Sequence, residues 1–182
     1  MLITVVRHTS VDVPKGICYG ITDVPLAVTF PDELAQVRQN IGSGTFDFVY
    51  SSPLTRCTTL ANGIIPHQPI RTDIRLTELN FGSWEMSEWN TVFESSEGKD
   101  WFADFINMRC PGGESFTELI HRTDLFLDDL RQTTFKHGLI FTHAGIIRAM
   151  MCLLQNKTPQ EVFDSPLEFG QIITFNLINH ER

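Results

Sequence analysis

Four short segments of this 182-residue chain carry residues able to do chemistry. The first is Arg7-His8, directly after the run Leu2–Val6. A neutral imidazole is a good nucleophile for phosphorus. An adjacent guanidinium holds phosphate oxygens with a two-pronged fork. An Arg-His pair is not rare in a chain of this composition; its place at the end of a buried run gives it weight. The second is Ser51-Ser-Pro-Leu-Thr-Arg56. Pro53 and the hydroxyls favour a helix start, so Arg56 falls in a first turn, where a cation opposes the helix dipole. A bound anion removes that conflict, because helix N-termini attract phosphate. The third is Phe141-Thr-His143-Ala144-Gly145, a second histidine at a strand-to-helix junction, with backbone N–H groups near Ala144 and Gly145 placed to face an anion. The fourth runs from Leu76 to Glu85 and sets Glu78 among apolar neighbours. That setting favours a protonated carboxyl able to act as a general acid. Each has a plainer reading: an exposed pair at a strand end, a surface arginine, a glutamate paired with a structural arginine. Glu85 and Glu114 suit that last role.

The elements that must position these residues alternate. Leu2–Val6, Phe46–Tyr50 and Gly138–Thr142 read as buried strands, and Gln171–Leu177 as a last one. Pro31–Ile41, with Pro and acids first and Gly42 and Gly44 after, reads as a helix. So do Pro53–Ile64 and Ala144–Gln155. Ser115 and Glu118 form a capping-box pattern opening a long helix to about Gln132. Pro14–Pro25 reads as a loop. From Met86 to Met108 the pattern is helical, broken around Ser95–Gly98. Strands alternating with helices predict an α/β fold: a three-layer sandwich with a mostly parallel central sheet and helices on both faces. Ligands of such sheets bind beyond the carboxyl ends of the strands, where His8 and His143 fall.

Length predicts one domain over residues 1–182. The formal net charge is −8, which argues against nucleic-acid or anionic-membrane surfaces. A small anionic substrate is compatible with it, since a few arginines build a local positive pocket. The amino terminus has no secretory pattern. The apolar stretch Gly138–Leu154 is interrupted by His143 and Arg148, which argues against a membrane span. Cys18, Cys57, Cys110 and Cys152 show no C-x-x-C spacing and read as reduced thiols of a cytoplasmic protein. Monomer and homodimer are both left open.

Taken together in this order, Arg7-His8, the Ser-Pro-Leu-x-Arg segment, Glu78 in Glu-x-x-Phe-Gly-x-Trp-Glu and Thr142-His143-Ala-Gly resemble the histidine phosphatase superfamily, of phosphoglycerate-mutase-like fold. The resemblance runs from Val5 to about Arg148. The segment Gly16-Ile-Cys-Tyr19-Gly-x-x-Asp23-Val-Pro-Leu26 resembles the α-ribazole phosphatase branch, which dephosphorylates α-ribazole 5′-phosphate in cobalamin nucleotide-loop assembly. The resemblance implies in-line attack by His8, giving a phosphohistidine. It implies that Arg7, Arg56 and His143 hold the equatorial oxygens and that Glu78 protonates the leaving oxygen. Tyr19, Thr9 and Ala144 join the expected substrate contacts, and neither metal nor cofactor is expected.

Two departures matter. Thr9 stands where the family often has Gly, and no Asn lies between Ser10 and Asp23 to touch the phosphate. Thr9 or backbone groups are left as its replacements. His67, His121, His137 and His180 lack partner patterns and read as surface or helix residues. Cys18 and Cys57 are not expected to be nucleophiles. Arg122 and Glu114 read as structural. Trp84, Trp89, Trp101 and Phe102 read as core; the resemblance implies that a helical segment at about 86–110 covers the active site, which makes stacking of one of them on a substrate base the alternative. Competing functions are a broad sugar-phosphate or phosphoglycerate phosphatase, a mutase, and a non-catalytic phosphate-binding regulatory module. A nucleotide-binding module is disfavoured by the absence of G-x-G-x-x-G and Walker patterns.

Overall fold

The computed structural model describes residues 1–42 and 44–178; His180 lies outside them. Five strands form one sheet: β1 (Leu2–Arg7), β2 (Phe48–Ser51), β3 (Ile70–Thr72), β4 (His137–Thr142) and β5 (Ile172–Asn176). Their order is β3-β2-β4-β1-β5. Pairs β2·β3, β2·β4 and β1·β4 are parallel, and β5 runs antiparallel along the edge of β1.

The helices are α1 (Phe30–Ile41), α2 (Thr55–Ile64), α3 (Trp89–Glu94), α4 (Ser96–Ala103), α5 (Phe116–Arg131), α6 (Ala144–Gln155) and α7 (Pro159–Asp164). Strand periodicity sorts the core into two clusters, one on each face of the sheet. Ile3, Val5 and Ile140 pack with Leu119, Phe126, Ile147 and Met150 of α5 and α6. Val6, Leu139 and Phe141 pack with Val37 and Leu60 of α1 and α2. β1 and β4 are buried on both faces, hence their largely apolar runs, with Thr4 the polar residue inside β1. The three-layer α/β sandwich is therefore the observed architecture.

The expected break in the 86–110 segment falls at Ser95, which ends α3 and caps α4 by accepting from Gly98 N–H at 2.9 Å. The predicted capping box of α5 is present. Two elements escaped the sequence reading, β3 and α7. His137, expected at the surface or on a helix, opens β4 and lies within hydrogen-bond distance of Thr4 Oγ1. No helix among the described residues is long and apolar enough to cross a membrane.

Candidate active site

The carboxyl ends of β1, β4 and β2 are neighbours, and each runs directly into a residue of interest. The ladder continues past the strands: His8 N–H donates to Thr142 O at 3.0 Å and Ser52 N–H to Phe141 O at 2.9 Å. His8, His143 and Ser52 are thereby delivered to one spot by sheet geometry alone.

His8 is buried, and its Nδ1 lies 2.7 Å from the Thr9 carbonyl oxygen. A carbonyl only accepts, so the proton is on Nδ1 and the lone pair on Nε2. Burial, then the Arg56 charge, pushes the imidazole pKa down to about 3, with Arg7 adding to the effect. The ring is a neutral nucleophile across the physiological range. The His143 ring packs edge-on at 5.1 Å between centroids. Burial, then His8 and Arg56, holds its pKa well below the usual value.

Arg56 is fully buried. Its Nε donates to His143 Nδ1 at 3.3 Å, Nη1 to Thr22 O at 2.9 Å, and Nη2 to Gly20 O. Two of the five guanidinium N–H bonds are left over. Sequence reasoning expected a bound anion to reconcile Arg56 with the α2 N-terminus. The anion found there is Asp23, whose carboxylate accepts from Thr55 N–H at 2.9 Å and from the Thr55 hydroxyl.

Glu78 corrects a second expectation. Its carboxylate accepts from Leu79 N–H at 2.9 Å and Gly145 N–H at 3.0 Å. The N–H at the start of α6, expected to face a substrate anion, faces this side chain. The surroundings of Glu78 are thus polar on one side. Glu85, expected to pair with an arginine, instead gathers backbone N–H groups of Gly20, Ile21, Thr22 and Phe81. Burial pushes its pKa up, but the hydrogen bonds from Thr22, Gly20 and Phe81 outweigh that and hold it low. Glu114 does pair with Arg122, at 2.8 Å.

A cavity of about 330 Å³ opens over this spot. Arg7, His8, Tyr19 and Glu78 line it. Thr9, Arg56, His143 and Ala144 are buried and are not among its lining residues. Thr9 Oγ1 and Arg7 Nε are buried without a hydrogen-bond partner. Arg7 is clamped by a loop that sequence reasoning did not single out: it donates to Leu167 O, and its guanidinium carbon lies 4.0 Å from the Phe169 ring centroid. Phe169 also packs 5.5 Å from His8.

A second cavity, of about 510 Å³, adjoins the first. Leu79, Phe81, Trp89, Phe116 and Phe163 belong to both walls. The far wall adds Trp101, Phe102 and Phe105. Trp84 is core, Trp101 is a buried part of the far wall, and Trp89 lines both cavities. Sequence reasoning missed Phe116 and Phe163, which lie far from the motif segments. Cys18 and Cys57 are buried thiols whose pKa burial raises, as befits non-nucleophiles. Among the described residues, no cluster of His, Cys, Asp and Glu is arranged to hold a metal.

Comparison with known proteins bears on this arrangement. The model of the histidine phosphatase superfamily (branch 1) matches residues 3–181. Phosphoserine phosphatase 1 of Hydrogenobacter thermophilus is 25% identical over 155 residues, covering 82% of this chain and 74% of that protein. The α-ribazole phosphatase from Shigella flexneri superposes with a TM-score of 0.88 at 20% identity, over 96% of this chain and 89% of that one. The phosphoserine phosphatase from Entamoeba histolytica, solved with 3-phosphoglyceric acid, gives 0.81 at 23% identity, over 96% and 90%. At such identities the structural likenesses establish the fold.

Proposed function

The chain belongs to the histidine phosphatase superfamily, and from that premise we propose that it hydrolyses α-ribazole 5′-phosphate through a phosphohistidine on His8. The observation that carries the substrate is the aromatic cavity sharing a wall with the His8 cavity. A flat apolar base on a ribose 5-phosphate suits that lining; phosphoserine and 3-phosphoglycerate bring only small polar groups and no ring to stack there. Aromatic stacking rewards the base by about 0.5–1.5 kcal/mol beyond area burial.

The mechanism follows from the geometry. The Nε2 lone pair of His8 forms the N–P bond as the ester P–O bond breaks. Glu78 gives a proton to the leaving ribose oxygen, and then takes one from the water that cleaves the N–P bond and releases phosphate. Arg7 meets the phosphoryl oxygens directly. Arg56 contributes its two uncommitted N–H bonds from below, and the Nε2–H of His143, 2.8 Å from Ser52 Oγ, serves an equatorial oxygen. Thr9 Oγ1 is the proposed substitute for the family's loop Asn.

The test is phosphate release, with EDTA present, from α-ribazole 5′-phosphate, ribose 5-phosphate, phosphoserine and 3-phosphoglycerate. The expected order puts α-ribazole 5′-phosphate first in kcat/KM, with His8→Ala inactive and Trp89→Ala losing the preference over ribose 5-phosphate. Equal turnover of all four would leave a broad phosphatase and remove the cobalamin assignment.

A further inference from the structure

Arg148 stands in the wall of the His8 cavity with its terminal nitrogens unengaged. It lies three residues beyond Gly145 on α6, so its side chain shares the helix face that meets Glu78. Its Nε donates to Val162 O at 3.0 Å, and its guanidinium carbon sits 4.8 Å from the Phe163 ring centroid. Both contacts come from α7 and fix the plane of the fork. Neither terminal nitrogen has a protein hydrogen-bond partner among the described residues. The side chain is half-buried, and its nearest acidic neighbour in the cavity is Glu78. A held, partly desolvated guanidinium with four free N–H bonds is a receptor for an acceptor oxygen.

The position within the cavity says which oxygen. Arg7 and His8 occupy the phosphoryl end, and Glu78 serves the ester oxygen. Arg148 lies against Phe163, which walls both cavities, so its fork stands where the His8 cavity meets the aromatic one. We propose that Arg148 reads the leaving alcohol, donating to an oxygen that this group carries. A sugar hydroxyl and a carboxylate both present that chemistry. The inference rests on the reading of the His8 cavity as a phosphomonoesterase site with Glu78 at the ester oxygen, and it adds a specificity residue to it.

The experiment measures kcat/KM of wild type, Arg148→Met and Arg148→Lys on three kinds of substrate. α-Ribazole 5′-phosphate and ribose 5-phosphate carry hydroxyls, phosphoserine and the phosphate ester of 3-hydroxypropionate carry a carboxylate without a hydroxyl, and phenyl phosphate carries neither. The expected result is that Arg148→Met lowers kcat/KM at least about tenfold more on one oxygen-bearing pair than on phenyl phosphate, with Arg148→Lys recovering part of the loss. The pair that suffers identifies the oxygen as hydroxyl or carboxylate. An equal loss on every substrate, or no loss on any, overturns the inference. Thermal unfolding of both variants separates misfolding from lost recognition, and the conservative lysine variant keeps the comparison alive if the methionine variant unfolds. His8→Ala is assayed beside them. Turnover that survives His8→Ala sinks the reading of the site; His8-dependent turnover with unchanged preference in Arg148→Met sinks the inference alone.

Discussion

Arg56 donates through Nε to Nδ1 of His143 at 3.3 Å, and this one bond sets the state of the imidazole. A guanidinium only donates, so Nδ1 accepts and the ring proton lies on Nε2, 2.8 Å from Ser52 Oγ. The second histidine is therefore held neutral with its proton pointing in a known direction. The same guanidinium binds the carbonyls of Gly20 and Thr22, so the loop from Gly16 to Leu26 and the histidine are oriented by one side chain.

That division of labour predicts the outcome of Arg56→Lys. An ammonium is a point donor on a flexible stem and cannot reach three acceptors in the plane of a fork. Some of the buried acceptors lose their partner, at about 1–3 kcal/mol each. Urea unfolding should show a loss in that range, and kcat/KM should fall about 100-fold or more. A fully active, equally stable lysine variant would show that charge alone suffices.

Gly145 offers a cleaner separation of fold from chemistry. A Cβ there would come within 2.2 Å of Glu78 Oε1. The obstacle is the end of a flexible side chain, so the helix stays and Glu78 moves. Alanine is also the better helix former, by up to about 1 kcal/mol. Gly145→Ala should therefore keep or slightly raise Tm while kcat drops about 10²-fold, within the range of a lost proton transfer. Unchanged kcat would mean that Glu78 does its work from another position.

The two buried imidazoles make stability depend on pH. His8 is pushed down to about 3 by burial and Arg56, and His143 is lowered by burial and His8. In the unfolded chain both titrate near 6.5. Below that pH the unfolded state binds more protons, so stability is complete above about pH 7 and falls as pH drops toward 3. Each histidine contributes a slope of up to about 1.4 kcal/mol per pH unit. Urea unfolding between about pH 7 and pH 5 should show the decline, and His8→Asn should flatten it. A level profile in both would show that the histidines protonate while folded.

Legibility from sequence followed burial. β1 and β4 were readable because strands buried on both faces are largely apolar runs. β3 is three residues long, with Arg71 and Thr72 exposed, and leaves no period to detect. α7 did have a signal: Thr158 and Glu161 make a capping box as clear as that of Ser115 and Glu118. Only Val162 is buried in those six residues, so no apolar stripe followed the cap. His8 and His143 stood out because polar residues ended apolar strands. The aromatic cavity did not, because Trp89, Phe116 and Phe163 meet only after folding. Arg148 was visible as a charge inside an apolar helix, but its free fork became visible only with the position of α7.

Asp23 links the substrate loop to the scaffold, and its removal should be felt at both ends. α2 has no side-chain cap of its own, since Leu54 occupies that place. Asp23 supplies one from the loop, accepting from Thr55 N–H and hydroxyl. Replacing such a cap by alanine costs about 0.5–2 kcal/mol. The next residue back, Thr22, gives its carbonyl to Arg56, so a loosened loop also loosens the guanidinium that orients His143. Asp23→Ala should lower the urea-unfolding free energy by about 1 kcal/mol and reduce kcat/KM by a similar factor on every phosphomonoester, because the aromatic wall is untouched. Asp23→Asn, which still accepts but lacks the charge facing the helix dipole, should fall between the two. A stability loss without any change in kcat/KM would show that the loop carbonyls do not govern how Arg56 holds the histidine.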